Sequence, residues 1–128
     1  MKLLLDTCTF LWIAGDAPEL SDKARELFQN PENEVYLSSV SAWEIVVKHA
    51  LGKLPLPERP NTYVPKLRRL HAVEPLPLEE EATLHLTTLP PLHKDPFDRM
   101  LVCQAIVAGL VLLTPDALVT QYPTRSAW

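Results

Sequence analysis

The segment Lys2-Leu3-Leu4-Leu5-Asp6 decides the fold. A short apolar run without alternation fits a strand buried on both faces, as in parallel sheets covered by helices. Outward from it, residues 8–14 read as a short helix, and Ser21 is a good cap for a helix through Gln29 with Ala24, Leu27 and Phe28 on its apolar face. Residues 35–38 read as a second strand, and Ser41 opens a helix to Leu51 with Ile45, Val46 and Leu51 available for burial. Pro55, Pro57 and Pro60 make 54–60 an extended connection. A helix then runs to about His71, and Pro65 fits it only in the first turn. Residues 72–74 form a weak third strand, and residues 78–89 an amphipathic helix with Glu79, Glu80 and Glu81 in its first turn, where the helix dipole favours acids. Asp95 and Pro96 supply a cap and a first helical residue for a helix to Ala108. Residues 111–114 are the fourth strand, followed by a short helix after Pro115 and a last edge strand.

Strands alternating with helices imply crossover connections. The expected architecture is α/β: three layers, with a central, mostly parallel sheet of four to five strands flanked by helices. A chain of 128 residues fits a single domain, 1–128, and its 47% hydrophobic and 22% charged content suits a packed globule. No apolar run reaches the roughly 18 to 20 residues of a membrane-spanning helix, and the start lacks the longer apolar region of a secretory signal. A cytoplasmic protein is therefore expected. Three glycines exclude a Gly-rich phosphate loop, and Gly15, Gly52 and Gly109 each follow an apolar helical run where a left-handed cap is wanted. Cys8 and Cys103 match no metal spacing and read as small buried apolar residues. The net charge of −4 argues against non-specific nucleic-acid binding, but its distribution weakens that argument. Between Lys48 and His71 six cations face one acid, +5, which leaves six cations against fifteen acids elsewhere, −9.

Ligands of open parallel sheets bind beyond the carboxyl ends of the strands. Asp6 ends the first strand, where an acid has little structural purpose. Glu44 lies in the first turn of the helix after strand two, Asp98 in the first turn of the Asp95 helix, and Asp116 two residues beyond Thr114. These acids converge on one rim with no lysine or histidine interleaved at those positions. Clustered carboxylates repel one another when desolvated, and a hard divalent cation removes the conflict. Metal-assisted hydrolysis of a phosphodiester is the reaction class that follows. Each acid also has a purely structural reading: Ser41-x-x-Glu44 is a capping box, Asp95-x-x-Asp98 a cap with a first-turn acid, and Asp116 plain turn chemistry. Thr7, Ser38 and Ser39 sit beside the acids and are candidates to orient water or a carboxylate, and Arg99 to hold a phosphate. His93 and Lys94 are weaker candidates for substrate contact. Trp12 and Trp43 read as core or subunit-interface aromatics before base-stacking platforms.

Leu4-Leu5-Asp6-Thr7, Ser41-Ala42-Trp43-Glu44-Ile45, Gly52-Lys53-Leu54, His93-Lys94-Asp95-Pro96-Phe97-Asp98-Arg99 and Leu113-Thr114-Pro115-Asp116, at these spacings, resemble PIN-domain proteins, and among them the VapC-type toxins of bacterial toxin–antitoxin pairs. The resemblance runs from residue 2 to about Tyr122. It implies a PIN-like fold, an acidic quartet at Asp6, Glu44, Asp98 and Asp116, and Mg2+ (or Mn2+) held by these residues. It further implies endoribonuclease activity on RNA, inhibition by a small antitoxin whose tail enters the acidic groove, and a homodimer. Cys8 departs from the histidine that often follows Asp-Thr in this subgroup. Asp98 is preferred to Asp95 as the third acid, because Asp95 is best used as the cap. Two rivals stand beside this reading. A receiver-type signalling domain needs a phospho-accepting aspartate after its third strand and a lysine after its last, and this chain has Glu74-Pro75-Leu76 and no lysine beyond Lys94. A PIN-like binding module without catalysis would tend to lose one of the acids.

Overall fold

Leu3, Leu4 and Leu5 are each fully buried, the burial that an apolar run without alternation requires. They form β1 (Lys2–Leu5), the middle strand of the sheet in the computed structural model, which describes residues 1–128. The remaining strands are β2 (Glu34–Ser38), β3 (Glu74–Leu76), β4 (Val111–Leu113) and β5 (Ser126–Ala127). Their order is β3-β2-β1-β4-β5, and every neighbouring pair is parallel. The chain builds outward from β1 to β2 and β3, then crosses back to β4 and β5. The order therefore reverses between β1 and β4, and a crevice opens there at the strand ends.

Seven α-helices cover the two faces: α1 (Thr7–Ala14), α2 (Asp22–Gln29), α3 (Ser39–Ala50), α4 (Pro60–Leu70), α5 (Glu80–Leu84), α6 (Pro96–Ala108) and α7 (Ala117–Thr120). Alternate residues of β1 serve opposite layers. Leu3 and Leu5 pack with Phe10, Ile13, Ala24, Ile45, Val64 and Leu67 from α1 to α4. Leu4 packs with Ala82, Leu101, Val102, Ala105 and Val119 from α5, α6 and α7. This is the expected three-layer α/β architecture with helices on both faces.

Several expectations are corrected in detail. The helix after β2 begins at Ser39, because Ser38 caps it by accepting from the Val40 amide, so the strand runs straight into the helix. Val46 and Leu51 are exposed and only Ile45 of the three expected core residues is buried. Pro65 lies inside α4 rather than in its first turn, which is occupied from Pro60 onward. The third strand falls at Glu74–Leu76, later than expected, on the sheet edge where Pro75 has no ladder partner on its outer side. The 78–89 helix is shorter: α5 stops at Leu84 and a 3-10 turn, His85–Thr88, follows it. Gly52 and Gly109 take left-handed φ of 72° and 69° at helix ends, but Gly15 does not; Asp16 and Ala72 carry the positive φ instead, at 48° and 54°. Cys103 is buried, whereas Cys8 is exposed. No helix is long and apolar enough to cross a membrane.

Candidate active site

Asp6 follows β1 directly and caps α1: its Oδ1 accepts from the Thr9 amide at 2.8 Å. Its Oδ2 accepts from the Thr114 hydroxyl at 2.5 Å, a bond that joins the ends of β1 and β4. The acid thus has a structural role that strand patterning alone does not reveal. Glu44 lies in the second turn of α3, and Ser41 is inside that helix, so the pair is no capping box. Glu44 instead turns into the crevice, where Oε1 accepts from the Thr7 hydroxyl at 2.6 Å, with Ser41 Oγ 3.0 Å from the same threonine oxygen. Lys48, one turn further along α3, forms an ion pair with Glu44 Oε2. Asp95 caps α6 through the amides of Phe97 and Asp98, which leaves Asp98 free to point inward. Asp116 caps α7 by accepting from the Leu118 amide at 2.8 Å.

All four predicted acids, with Asp95, Thr7, Cys8, Trp12, Lys48 and Pro115, line one cleft of about 290 Å3 at the carboxyl edge of the sheet. Five carboxylates therefore face a single ammonium group. His93, in the loop before α6, backs two of these acids: its Nε2 lies 3.0 Å from Asp98 Oδ2 and 3.7 Å from Asp116 Oδ2. The cluster is thus not free of bases, as the sequence reading has it. Lys48 was legible at i+4 from Glu44, since that spacing places both on one helix face. His93 belongs to no periodic element; it stood in the sequence as a weaker candidate for substrate contact, and its place beside Asp98 and Asp116 is set by the loop path.

Burial dominates the electrostatics. It raises the Asp6 carboxyl, against the lowering effect of its bonds to Thr114 and Thr9. It pushes Asp98 up to about 6, with the charges of Asp95 and Glu44 adding to the rise and His93 opposing it. Cys8 is an exposed residue whose thiol lines the cleft, and desolvation there, with the negative charge of Asp6, drives it up to about 11, so it stays protonated at neutral pH. Lys48 is held charged by its bond to Glu44. A pocket with this imbalance fits a divalent cation, because carboxylate oxygens are its preferred donors and a double charge relieves the mutual repulsion. The His93, Asp98 and Asp116 donor atoms all lie within 4.8 Å of one another.

Three expected participants lie elsewhere. Ser39 is exposed, with its hydroxyl near Leu76 O at 3.4 Å, and Ser38 bonds Gln104; both line a separate groove between α3 and α4. Arg99 turns away from the cleft toward the Leu89 carbonyl. Both shifts follow from helix geometry: Ser39 starts α3 five residues before Glu44, and Arg99, one residue after Asp98, sits about 100° round the helix from it. Trp43 is 60% exposed rather than core, with its ring edge-on to Phe97 at 4.9 Å. Trp12 lines the cleft and leans on Trp128, ring centroids 5.8 Å apart.

The description of the PIN domain matches residues 3–122. The chain belongs to the PIN-domain family. This PIN domain is 38% identical over 69 residues to Ribonuclease VapC16 of Mycobacterium tuberculosis, a match covering 54% of the chain and 49% of that protein. The match thus spans about half the length of that curated relative. Among solved structures, VapBC2 from Rickettsia felis bound to a DNA fragment from its promoter superposes with a TM-score of 0.73 at 16% identity, over 99% of this PIN domain and 98% of the other chain. DNA-bound VapBC from Salmonella typhimurium gives a TM-score of 0.70 at 23% identity, over 99% and 97%. At these identities the likeness is one of fold.

Proposed function

We propose that the chain is a metal-dependent endoribonuclease of the VapC type, the toxin of a toxin–antitoxin pair, which hydrolyses RNA phosphodiester bonds. The observation that carries this reading is the lining of one cleft by Asp6, Glu44, Asp98 and Asp116, which come from beyond the ends of β1 and β4, the second turn of α3 and the first turn of α6. The relative named as a ribonuclease supports the substrate class, and the family match supports the nuclease chemistry.

Asp6, Glu44, Asp98 and Asp116 would hold Mg2+, with Mn2+ as a substitute. The bound cation supplies a water of lowered pKa and neutralises charge developing on the phosphoryl group. The chain's own residues set the stage for it. Thr114 and Thr7 fix one oxygen each of Asp6 and Glu44 and so limit the rotation of both carboxylates. Lys48 offers the cleft's ammonium to a substrate phosphate, which five carboxylates would otherwise repel. The same surplus of acid suits a cationic side chain from the tail of a small antitoxin. A homodimer would cover the exposed Trp43 and Val46 on α3.

Incubation of the purified protein with total RNA, with Mg2+ or with EDTA, tests the reading beside Asp6→Asn and Asp98→Asn. Cleavage is expected only with metal, and each substitution should abolish it while leaving the circular dichroism spectrum unchanged. Asparagine keeps the oxygen that accepts from the Thr9 amide and loses the charge and the second oxygen, which accepts from Thr114. Cutting by both variants at the parental rate would remove the cleft from the reaction.

A further inference from the structure

His93 stands between two of the acids and is itself held from two sides. Its backbone amide donates to the Tyr122 hydroxyl at 2.7 Å, and Tyr122 is buried. Its ring Nδ1 accepts from the Asp95 amide at 3.3 Å. An Nδ1 lone pair engaged in this way places the ring proton on Nε2, the atom that faces Asp98 Oδ2 at 3.0 Å and Asp116 Oδ2 at 3.7 Å. Asp116 Oδ1 is already committed to the Leu118 amide, and both oxygens of Asp6 and of Glu44 have partners. Asp98 Oδ1 accepts no hydrogen bond within the chain, and Asp116 Oδ2 meets only His93 Nε2, at 3.7 Å. The side chain of Asp98 is thus aimed from its Oδ2 side, with its other oxygen presented to the cleft.

We infer that His93 is a positioning residue of the metal site: its Nε2–H, aimed by Tyr122 and the Asp95 amide, sets the orientation of Asp98 and its spacing from Asp116. The inference rests on the metal-site reading above. A direct ligand role for His93 would require the lone pair on Nε2 and the proton on Nδ1, where the Asp95 amide already donates. The imidazole therefore acts through the carboxylates. Partners of this kind typically alter metal affinity by ~10- to 100-fold when removed.

Mn2+ titration by electron paramagnetic resonance, on the full chain without RNA, reads this directly. His93→Ala should weaken Mn2+ binding by about 10-fold or more. His93→Gln, which keeps a donor, should recover part of that loss, and Tyr122→Phe, which keeps the buried ring, should show a smaller weakening. Asp98→Asn serves as the reference. If Asp98→Asn leaves Mn2+ affinity unchanged, the metal-site reading itself fails. If Asp98→Asn weakens binding and His93→Ala does not, or tightens it, the positioning role is overturned while the metal site stands. Loss of Mn2+ affinity in His93→Ala with Mg2+ affinity retained, measured by competition, would mark His93 as a nitrogen ligand and likewise overturn the role. Circular dichroism of each variant confirms the fold. Should His93→Ala unfold, the comparison of Tyr122→Phe and His93→Gln with the parent decides the matter.

Discussion

Asp98 shows how a side chain that lines the cleft can work against the fold that holds it. Its carboxyl, raised to about 6 in the folded chain, ionises near the ordinary value of 3.8 once unfolded. Between those values the folded state keeps a proton that the unfolded state has released. Stability of the metal-free protein therefore falls as pH rises from about 4 to about 6, then levels off. After allowance for solvent screening the effect is on the order of 1 kcal/mol. Thermal melts in EDTA should show Asp98→Asn gaining stability over the parent at pH 7.5 and less at pH 5. An equal gain at both values would show that burial does not destabilise the charged carboxylate. The repulsion among clustered acids was legible in the sequence, but not that Asp98 bears it, because that depends on how deeply α6 seats its first turn.

At the scale of elements, the contact between α1 and α3 is polar as well as apolar, through Thr7, Ser41 and Glu44. Thr7→Val keeps the size of the side chain and strips Oε1 of the buried glutamate of its threonine donor, leaving Lys48 on Oε2. It should lower the urea midpoint by an amount equivalent to ~1–3 kcal/mol with an unchanged m value, and should reduce RNA cleavage. Helix ends give a paired prediction. Gly109 ends α6 at φ 69° with open space around it, whereas Ala72 takes φ 54° just beyond α4. Gly109→Ala should destabilise by about 1 kcal/mol, and Ala72→Gly should stabilise by up to about 1 kcal/mol, both read as shifts in denaturant midpoint.

Much of this level was legible in the sequence. The leucine run of β1 and the Asp95-Pro96 start of α6 fall where the residues indicate, because burial on both faces and a fixed proline φ leave little choice. The start of α3 was not, since Ser38, Ser39 and Ser41 are all competent caps and only the register of β2 selects Ser38. The site divides the same way. Acids at strand ends are visible once the sheet is recognised, but the placing of Ser39 and Arg99 outside the cleft, and of His93 against Asp98 and Asp116, is set by helix phase and loop path.

For the whole molecule, the exposed surface carries an apolar pair on one helix face, Trp43 at 60% exposure with Val46 at 50% one turn further along α3. Paired association through this face is the expected state. Trp43→Glu should convert a sedimenting dimer to a monomer without loss of secondary structure, and a parent protein that sediments as a monomer at micromolar concentration would remove the homodimer from the proposal.

The hydroxyl of Thr114 reaches a carboxylate 108 positions earlier in the chain. Contacts of such sequence separation form late, after the loop-closure entropy of the intervening chain has been overcome. During synthesis, a nascent polypeptide that ends before residue 96 holds Asp6 and Glu44 but neither Asp98 nor Asp116, and β1 has only one of its two flanking strands. On the proposed function, competence to cut would arrive only with the last quarter of translation, since a product ending before residue 96 lacks two of the four acids.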